Sequence, residues 1–220
     1  MDLLILAKSP VPGRVKTRLC PPLEPAEAAA VAEAALCDTI EAACAATADR
    51  VVVVLDGTPG PWCPPGVEIV AQETGSFAAR LEGAWSHARG PALQIGMDTP
   101  QVTAALLDRV VELLDAGADG ADTVLGPADD GGWWALAQRR HRPGIFDGVP
   151  MSAEDTGTRQ LAALRAAGAR VVLAPNLRDI DRADDLAAAA EAAPQTRTAA
   201  LVAALRSTGR LPGVAPFGAG

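Results

Sequence analysis

The stretch PALQIGMDTP, residues 91–100, decides how the chain is expected to fold. Its apolar part, residues 92–95, is typical of a short strand buried in a sheet, and Asp98 follows where that strand should end. Pro100 suits the first position of a helix, so the sequence predicts a helix starting just beyond the aspartate. Open α/β folds bind ligands at the carboxyl ends of their strands, which makes Asp98 a candidate ligand-binding carboxylate. The alternative is that Asp98 or Thr99 only caps the helix.

Strand-like and helix-like segments alternate on both sides of this stretch. Strands are predicted at 3–7, 51–55, 67–70, 92–95, 123–125, 133–136 and 171–173, and helices at 25–47, 77–88, 101–116, 155–167, 183–193 and 196–207. The loop between 123–125 and 133–136 is too short for a crossover helix, so these two strands should pair antiparallel. The pattern therefore predicts an α/β fold with a mixed, mainly parallel sheet. The paired tryptophans at 133 and 134 should point to opposite faces of their strand.

Composition bounds the class of protein. The 220 residues are 49% hydrophobic and carry a formal net charge of −8, which is enough for a sizeable core and argues against a nucleic-acid partner. No apolar run approaches the roughly 20 residues of a membrane helix, and no signal peptide is evident, so we expect a soluble, cytoplasmic protein that does not bind a membrane. Cys37 and Cys44, one heptad apart in a predicted helix, are expected to be core thiols.

The loop AKSPVPGRVKTRL, residues 7–19, concentrates positive charge. It holds Lys8, Arg14, Lys16 and Arg18, and the two lysines are the only ones in a chain with seventeen arginines. Several cations beside a Pro/Gly-rich backbone suit a triphosphate, and we expect an exposed Lys16 ammonium to contact it. The loop matches neither a Walker A motif nor the glycine pattern of a dinucleotide-binding fold. The alternative interpretation is a solvated basic turn.

Four motifs together resemble a known family. They are AKSPVPGRVKTRL (7–19), GMDTP (96–100), PADDGGWWAL (127–136) and LRDIDRADDL (177–186). In this order they resemble bacterial transferases known as glycosyltransferases or radical-SAM/selenodomain-associated transferases. That family belongs to the nucleotide-diphospho-sugar transferase superfamily and is similar to molybdenum cofactor and 2-phospholactate guanylyltransferases. The resemblance covers residues 2 to about 190 and implies a three-layer α/β/α, glycosyltransferase-A fold.

The resemblance also implies roles for individual residues. Those implied to bind the nucleotide are Lys8, Gly13, Arg14, Lys16, Thr17, Arg18, Gln72 and Gly75. Lys16 would act on the β- and γ-phosphates, and Asp98 and Asp181 would hold Mg²⁺ or Mn²⁺. The acceptor side would be formed by Asp130, Gly131, Gly132 and Trp133. The sequence departs from the family pattern at Ala78, where glycine is expected, and at Met151, where an aromatic residue is common.

Simpler interpretations of the acidic residues stay open. Asp129 to Gly132 is a good tight-turn sequence that needs no function. Asp181 is placed to cap a helix, and the sequence does not decide whether Asp179 or Asp181 would be the second metal ligand.

These features favour a metal-dependent nucleotidyltransferase. It would join the NMP part of an NTP to a small phosphorylated or carboxylated acceptor and release pyrophosphate. The alternatives are a glycosyltransferase that uses an NDP-sugar and a non-catalytic nucleotide-binding protein. We expect one domain over residues 1–207, with a nucleotide-binding half (1–116) and an acceptor-binding half (117–207), followed by a flexible tail at 208–220.

Overall fold

The computed structural model describes residues 1–115 and 120–211, and within them the chain alternates strands and helices as the sequence predicts. The strands are β1 (Asp2–Lys8), β2 (Arg50–Asp56), β3 (Glu68–Ala71), β4 (Ala92–Gly96), β5 (Thr123–Pro127), β6 (Trp133–Gln138) and β7 (Val171–Leu173). The helices are α1 (Pro25–Ala45), α2 (Phe77–Trp85), α3 (Ala104–Asp115), α4 (Thr156–Ala166), α5 (Ala183–Ala192) and α6 (Arg197–Ser207). A 3₁₀ turn, Thr17–Leu19, lies in the basic loop.

The strands form one mixed sheet in the order β3-β2-β1-β4-β6-β5-β7. Strand β6 runs antiparallel to both of its neighbours, β4 and β5, whereas the other pairs are parallel. This confirms the antiparallel pairing that the short β5–β6 loop predicts. Strand β1 lies between β2 and β4, so the loops that follow β1 and β4 meet at the same edge of the sheet.

Helices cover both faces of the sheet, which confirms the three-layer α/β/α arrangement. On one face α1 packs on β1 and β2 and α3 packs on β5 and β6, and Leu36 and Leu107 are fully buried in the same core as Ile5. On the other face α2 and α4 contribute the buried Leu81 and Leu164. Trp134 lies in the first of these cores and Trp133 beside the second, so the two tryptophans point to opposite faces as predicted.

Helices α5 and α6 extend the molecule beyond α1 and form a third core with it. A buried carboxylate fixes this arrangement, because Asp38 of α1 accepts hydrogen bonds from the first two backbone N–H groups of α6. The donors are Arg197 N and Thr198 N, both at 2.9 Å, and the Thr198 hydroxyl adds a third bond at 2.7 Å. Asp38 therefore satisfies the N-terminal donors that a helix cannot satisfy itself.

Two local predictions are wrong. Helix α3 begins at Ala104, not just beyond Asp98, because the chain first makes a turn in which Val102 N donates to Thr99 O at 3.0 Å. Thr103 then accepts from Leu106 N at 3.2 Å and starts the helix, so Asp98 is not used as a cap. Cys44 is exposed and Cys37 is only partly buried, because the buried face of α1 is centred on Ile40.

None of the described helices is both long and apolar enough to cross a bilayer. Most of the predicted tail, residues 212–220, lies outside the described residues. The division into a nucleotide-binding and an acceptor-binding half stays a prediction.

Candidate functional site

A cavity of about 620 Å³ opens at the carboxyl ends of the central strands. Its walls are the ends of β1 and β4, the start of α2, the turn between β5 and β6, and residues from segments 151–156 and 179–182. Open α/β sheets bind ligands at this edge, and the volume lies within the range of small-molecule sites.

Asp98 lies in this wall directly after β4, and Lys16 reaches it from the loop after β1. The Lys16 ammonium is 2.6 Å from Asp98 Oδ2 and also donates a hydrogen bond to the Ile180 carbonyl. Lys16 has a left-handed backbone with φ of 48°, and its side chain is only 11% exposed. The expectation of an exposed ammonium is therefore wrong, because neighbouring strands bring Asp98 and Lys16 together and the two groups neutralise each other.

Asp179 and Asp181, two residues apart, have different surroundings. Asp181 pairs with the Arg18 guanidinium at 2.7 Å, and this contact raises the pKa of the arginine. Asp179 has no ion pair with any described residue. Burial, and after it the negative charges of Asp98 and Asp130, raise its pKa to about 6, while the positive charge of Lys16 opposes this shift.

The chemistry of these carboxylates fits the Mg²⁺ or Mn²⁺ that the family resemblance implies. Asp98 and Asp179 interact electrostatically and both face the cavity, so a cation there would relieve their mutual repulsion. Among residues 1–115 and 120–211, however, no three His, Cys, Asp or Glu side chains are grouped closely enough to hold a metal ion. A divalent ion would therefore need oxygens from a ligand or water as well, which is usual for Mg²⁺.

Asp181 is not needed as a helix cap. The carboxylate of Asp185 accepts from Arg182 N at 2.8 Å and so caps α5. This contact leaves Asp181 and Arg182 to line the cavity.

Four cationic side chains line the described part of the cavity: Lys8, Arg18, Arg80 and Arg182. Arg80 stands on α2, donates to Gln72 Oε1 at 3.1 Å and lies over the Phe77 ring at 5.2 Å from its centre. Lys8 and Arg80 share a weaker contact with Asp56, each at 3.8 Å. Arg80 and Arg182 were missed by sequence reasoning. Arg182 could have been found from its place beside Asp181 in the last motif, but Arg80 carries no comparable signal.

The predicted nucleotide-binding residues divide into two groups. Lys8, Arg18 and Gln72 line the cavity, as does Asp98. The structure places the other predicted nucleotide-binding residues outside the described cavity wall: Gly13, Arg14, Lys16, Thr17 and Gly75. Gly13 and Arg14 are exposed on the outer part of the basic loop.

The residues of the predicted acceptor side lie in the cavity wall or directly behind it. Asp130, Gly132 and Trp133 line the cavity, and the Trp133 ring stacks on Phe146 at 6.1 Å. Gly131 lies behind them with φ of 86°, where a Cβ would come 1.8 Å from the Glu154 carbonyl oxygen. Only glycine fits at this position.

The β5–β6 turn is both structural and part of the site. Asp130 Oδ1 accepts from Gly132 N at 2.7 Å, a bond typical of a tight turn, and the same residue lines the cavity. Segment 151–156, which sequence reasoning noted only for Met151, is followed by a contact with this turn: the next residue, Gly157, donates from its backbone N to Gly131 O at 2.7 Å. Ser152 in this segment has a left-handed backbone, with φ of 60°, and faces the cavity.

Solved structures share the fold at low sequence identity. A Desulfovibrio desulfuricans protein proposed to be a nucleotide-diphospho-sugar transferase is 21% identical, with a TM-score of 0.82 over 94% of this chain and 95% of that one. CMP:2-keto-3-deoxy-manno-octonic acid synthetase, solved with CTP, is 12% identical, with a TM-score of 0.57 over 88% and 98%. Rv0371c of Mycobacterium tuberculosis, solved with manganese, is 20% identical, with a TM-score of 0.51 over 86% and 96%. These matches confirm the nucleotide-diphospho-sugar transferase fold.

No curated protein sequence matches the chain. A family model described as "Uncharacterized protein conserved in bacteria (DUF2064)" matches residues 27–153, which is more than half of the 220 residues. The matched region runs from α1 through the β5–β6 turn and into the segment that lines the cavity, and the chain therefore belongs to the DUF2064 family.

Proposed function

We propose that this protein is a nucleotidyltransferase that joins the NMP part of an NTP to a small anionic acceptor and releases pyrophosphate. The observation that carries the proposal is the charge distribution of one cavity. Its wall holds four cations, and it also holds Asp179, a carboxylate with no ion pair to a described residue, close to Asp98. Cations suit the phosphates of a nucleotide, and neighbouring carboxylates suit a divalent ion that accompanies them.

The phosphates would be bound by the cations that line the wall. Lys8 is the last residue of β1, Arg18 comes from the loop that follows it, and Arg182 directly precedes α5. Guanidinium groups form paired hydrogen bonds to phosphate oxygens, so Arg18 can exchange its contact with Asp181 for contacts with a phosphate. Lys16 is nearly buried, and we assign it to orienting Asp98 rather than to direct contact with the phosphates.

We propose that Asp98 and Asp179, rather than Asp98 and Asp181, hold the divalent ion. Arg18 already neutralises Asp181, whereas Asp179 has no ion pair with a described residue and its charge repels that of Asp98. When bound, Mg²⁺ or Mn²⁺ would neutralise the phosphate oxygens and favour in-line attack. A structural relative that was solved with manganese supports a divalent ion in this fold.

In the proposed reaction, an anionic oxygen of the acceptor attacks the α-phosphorus. A new P–O bond forms while the bond to the α–β bridging oxygen breaks, and the electron pair leaves with pyrophosphate. A phosphate or carboxylate oxygen is already deprotonated near neutral pH, so no general base is required. Lys8 and Arg18 would stabilise the charge that develops on the leaving pyrophosphate.

Glycosyl transfer from an NDP-sugar is the second candidate. It is favoured by the Desulfovibrio protein proposed to be a nucleotide-diphospho-sugar transferase, which shares the fold over almost the whole of both chains. A diphosphate donor has one phosphate fewer, however, and makes less use of four cations. A relative solved with CTP favours an NTP donor instead.

Product analysis separates the candidates. The protein would be incubated with Mg²⁺, each of the four NTPs or a set of NDP-sugars, and a panel of small phosphorylated and carboxylated acceptors. We expect pyrophosphate and an NMP-acceptor conjugate with one NTP, which is an NDP-linked product when the acceptor is a phosphate, and greatly reduced product from the Asp98→Asn variant. Release of NDP from an NDP-sugar would establish the glycosyltransferase, and nucleotide binding without any product would indicate a binding protein.

A further inference from the structure

The segment that carries Asp179 and Asp181 is an extended loop, residues 174–181, between β7 and α5. Backbone hydrogen bonds attach it first to β5, where Ala174 N donates to Leu125 O at 2.9 Å and Leu177 N to Pro127 O at 3.2 Å. It then crosses to the end of β4, where Ile180 N donates to Asp98 O at 2.9 Å. Between these two attachments lies Asp179, so its position depends on the residues just before it.

Asp129 holds those preceding residues from the β5–β6 turn. Its Oδ2 accepts from Arg178 Nε at 3.1 Å, its Oδ1 accepts from the Asn176 side-chain amide, and its backbone N donates to Leu177 O at 2.9 Å. One residue thus contacts three consecutive residues immediately before Asp179. Asp129 itself is absent from the described cavity wall, so it cannot act by touching a ligand there.

Arg178 is held at both ends. Its side chain binds Asp129, and its carbonyl oxygen accepts from the Gln101 side-chain amide at 2.8 Å. The peptide bond that joins Arg178 to Asp179 is therefore fixed between the β5–β6 turn and the loop after β4. Breaking the Asp129 contact leaves Arg178 with the Gln101 bond and removes the side-chain restraint next to Asp179.

We propose that Asp129 is a positioning residue, which places Asp179 relative to Asp98 through Arg178. The inference rests on the proposed function, because it assigns the pair Asp98 and Asp179 to a divalent ion. The partners that orient metal ligands commonly change metal affinity by about 10- to 100-fold when they are removed. A tight-turn role alone would be met by the backbone bonds of the turn and would need neither Arg178 nor Asn176.

The test measures how much Mg²⁺ is needed for nucleotide binding, by calorimetric titration of the NTP that the wild-type protein binds best at a series of Mg²⁺ concentrations. We expect the half-saturating Mg²⁺ concentration to rise about tenfold in Asp129→Asn and in Arg178→Gln. The double variant should need no more Mg²⁺ than either single variant, because both changes break the same Asp129–Arg178 contact. Arg178→Lys, which keeps the positive charge, should recover part of the loss. The matched control is Glu112→Gln, which breaks a comparable exposed pair with Arg109 on α3 at 3.0 Å. This control should not change the half-saturating Mg²⁺ concentration.

A purely structural role would lower the fraction of folded protein and hence the binding stoichiometry, while the half-saturating Mg²⁺ concentration of the folded fraction stayed constant. That result, or equal values for all variants, would overturn the positioning role. Asp129→Asn and Arg178→Gln break the same contact from its two sides, so the test still stands if one of them misfolds. Urea unfolding identifies a misfolded variant. If the wild-type protein binds no NTP in a Mg²⁺-dependent way, the proposed function fails, and this inference fails with it.

Discussion

Carboxylates at the two edges of the sheet differ in whether they have ion-pair partners. At the amino ends of the strands, Arg50 lies between Asp2 at 2.9 Å and Glu68 at 2.8 Å, and it lowers the pKa of Glu68 chiefly through their hydrogen bond. At the carboxyl ends, Asp179 has no such partner and its pKa is raised to about 6, first by burial. Asp130 and Glu154, which line the same cavity, also form no ion pair with a described residue.

This difference separates charges that stabilise the fold from charges that we propose bind a ligand. A buried or half-buried carboxylate without a partner costs stability, so a chain selected only to fold would pair it as it pairs Asp2. Local costs of this kind concentrate at functional sites. The contrast predicts that changes at the amino edge lower stability and leave binding intact, and that changes at the carboxyl edge weaken binding without lowering stability.

The largest effect should come from the amino edge. Arg50→Met removes the partner of Asp2, whose side chain is only 8% exposed. Among the described residues, this nearly buried carboxylate then keeps the backbone N–H of Arg89 as its donor. We expect the free energy of unfolding to fall by about 4 kcal/mol, as is typical when one member of a buried pair is removed. The measurement is urea unfolding, with nucleotide affinity of the folded protein as the second readout. A change in nucleotide affinity larger than that in stability would contradict the separation of the two edges.

Asp98→Asn should give the next largest effect, on binding. Loss of a residue that only orients a metal ligand lowers metal affinity by about 10- to 100-fold. Loss of the ligand's own charge should therefore weaken Mg²⁺-dependent nucleotide binding by about a hundredfold or more. The amide keeps the shape of the side chain and can still accept from Lys16, so the fold should persist. Calorimetry in Mg²⁺ and in EDTA measures the effect, and Glu112→Gln serves as the control. Unchanged Mg²⁺ dependence would remove Asp98 from the proposed metal site.

Sequence reasoning located the elements well, because the buried strands and amphipathic helices follow hydrophobic periodicity. It also located Asp98, since the carboxyl end of a central strand can be found from the strand itself. It failed where tertiary contacts decide. Lys16 is buried only because β1 and β4 are neighbours, and Pro100 does not start α3 because a turn ending at Thr103 comes first. The role of Arg80 depends on how α2 lies across the cavity, which no local pattern encodes.

The preference for Asp179 over Asp181 as the proposed metal ligand was likewise not accessible from sequence. The two residues alternate in an extended segment and are chemically identical. Only the structure shows that Arg18 reaches Asp181, while Asp179 lies near Asp98 and Asp130. A prediction of the site therefore needed the crossing of segment 174–181 from β5 to the end of β4.

A third prediction concerns Arg18, which lines the cavity and whose side chain is 61% exposed in its pair with Asp181. Arg18→Ala should weaken binding of an NTP by about tenfold, the equivalent of one charge-assisted hydrogen bond, and should leave NMP affinity nearly unchanged. Stability should move by less than about 0.5 kcal/mol, because exposed ion pairs contribute little. Paired titrations with the NTP and the NMP of the same base test this. Equal losses for both ligands would show that Arg18 does not bind the terminal phosphates.

The smallest expected effect is a gain of stability at Asp179, and its pH dependence identifies its cause. The pKa of this carboxyl is about 6 in the folded protein and about 3.8 in the unfolded chain, so the folded state binds the proton more tightly. Ionisation therefore destabilises the fold: the cost is absent below pH 3.8, grows as the pH rises, and is complete above pH 6. Asp179→Asn removes that cost and should stabilise the protein by about 1 kcal/mol at pH 7, after allowance for solvent screening of a half-buried group. At pH 4 the two proteins should be nearly equal.

Urea unfolding in EDTA at both pH values measures this difference, and Asp181→Asn is the matched control because it removes an equivalent charge two residues away. Arg18 already neutralises Asp181, so its replacement should give no gain at pH 7. The same Asp179→Asn variant should lose Mg²⁺-dependent nucleotide binding while it gains stability. A rise in stability together with a loss of binding is expected for a charge that binds a ligand but destabilises the fold. A gain of equal size at pH 4 and pH 7 would show that the side chain is strained rather than repelled, and the contrast between the two edges would then not be electrostatic.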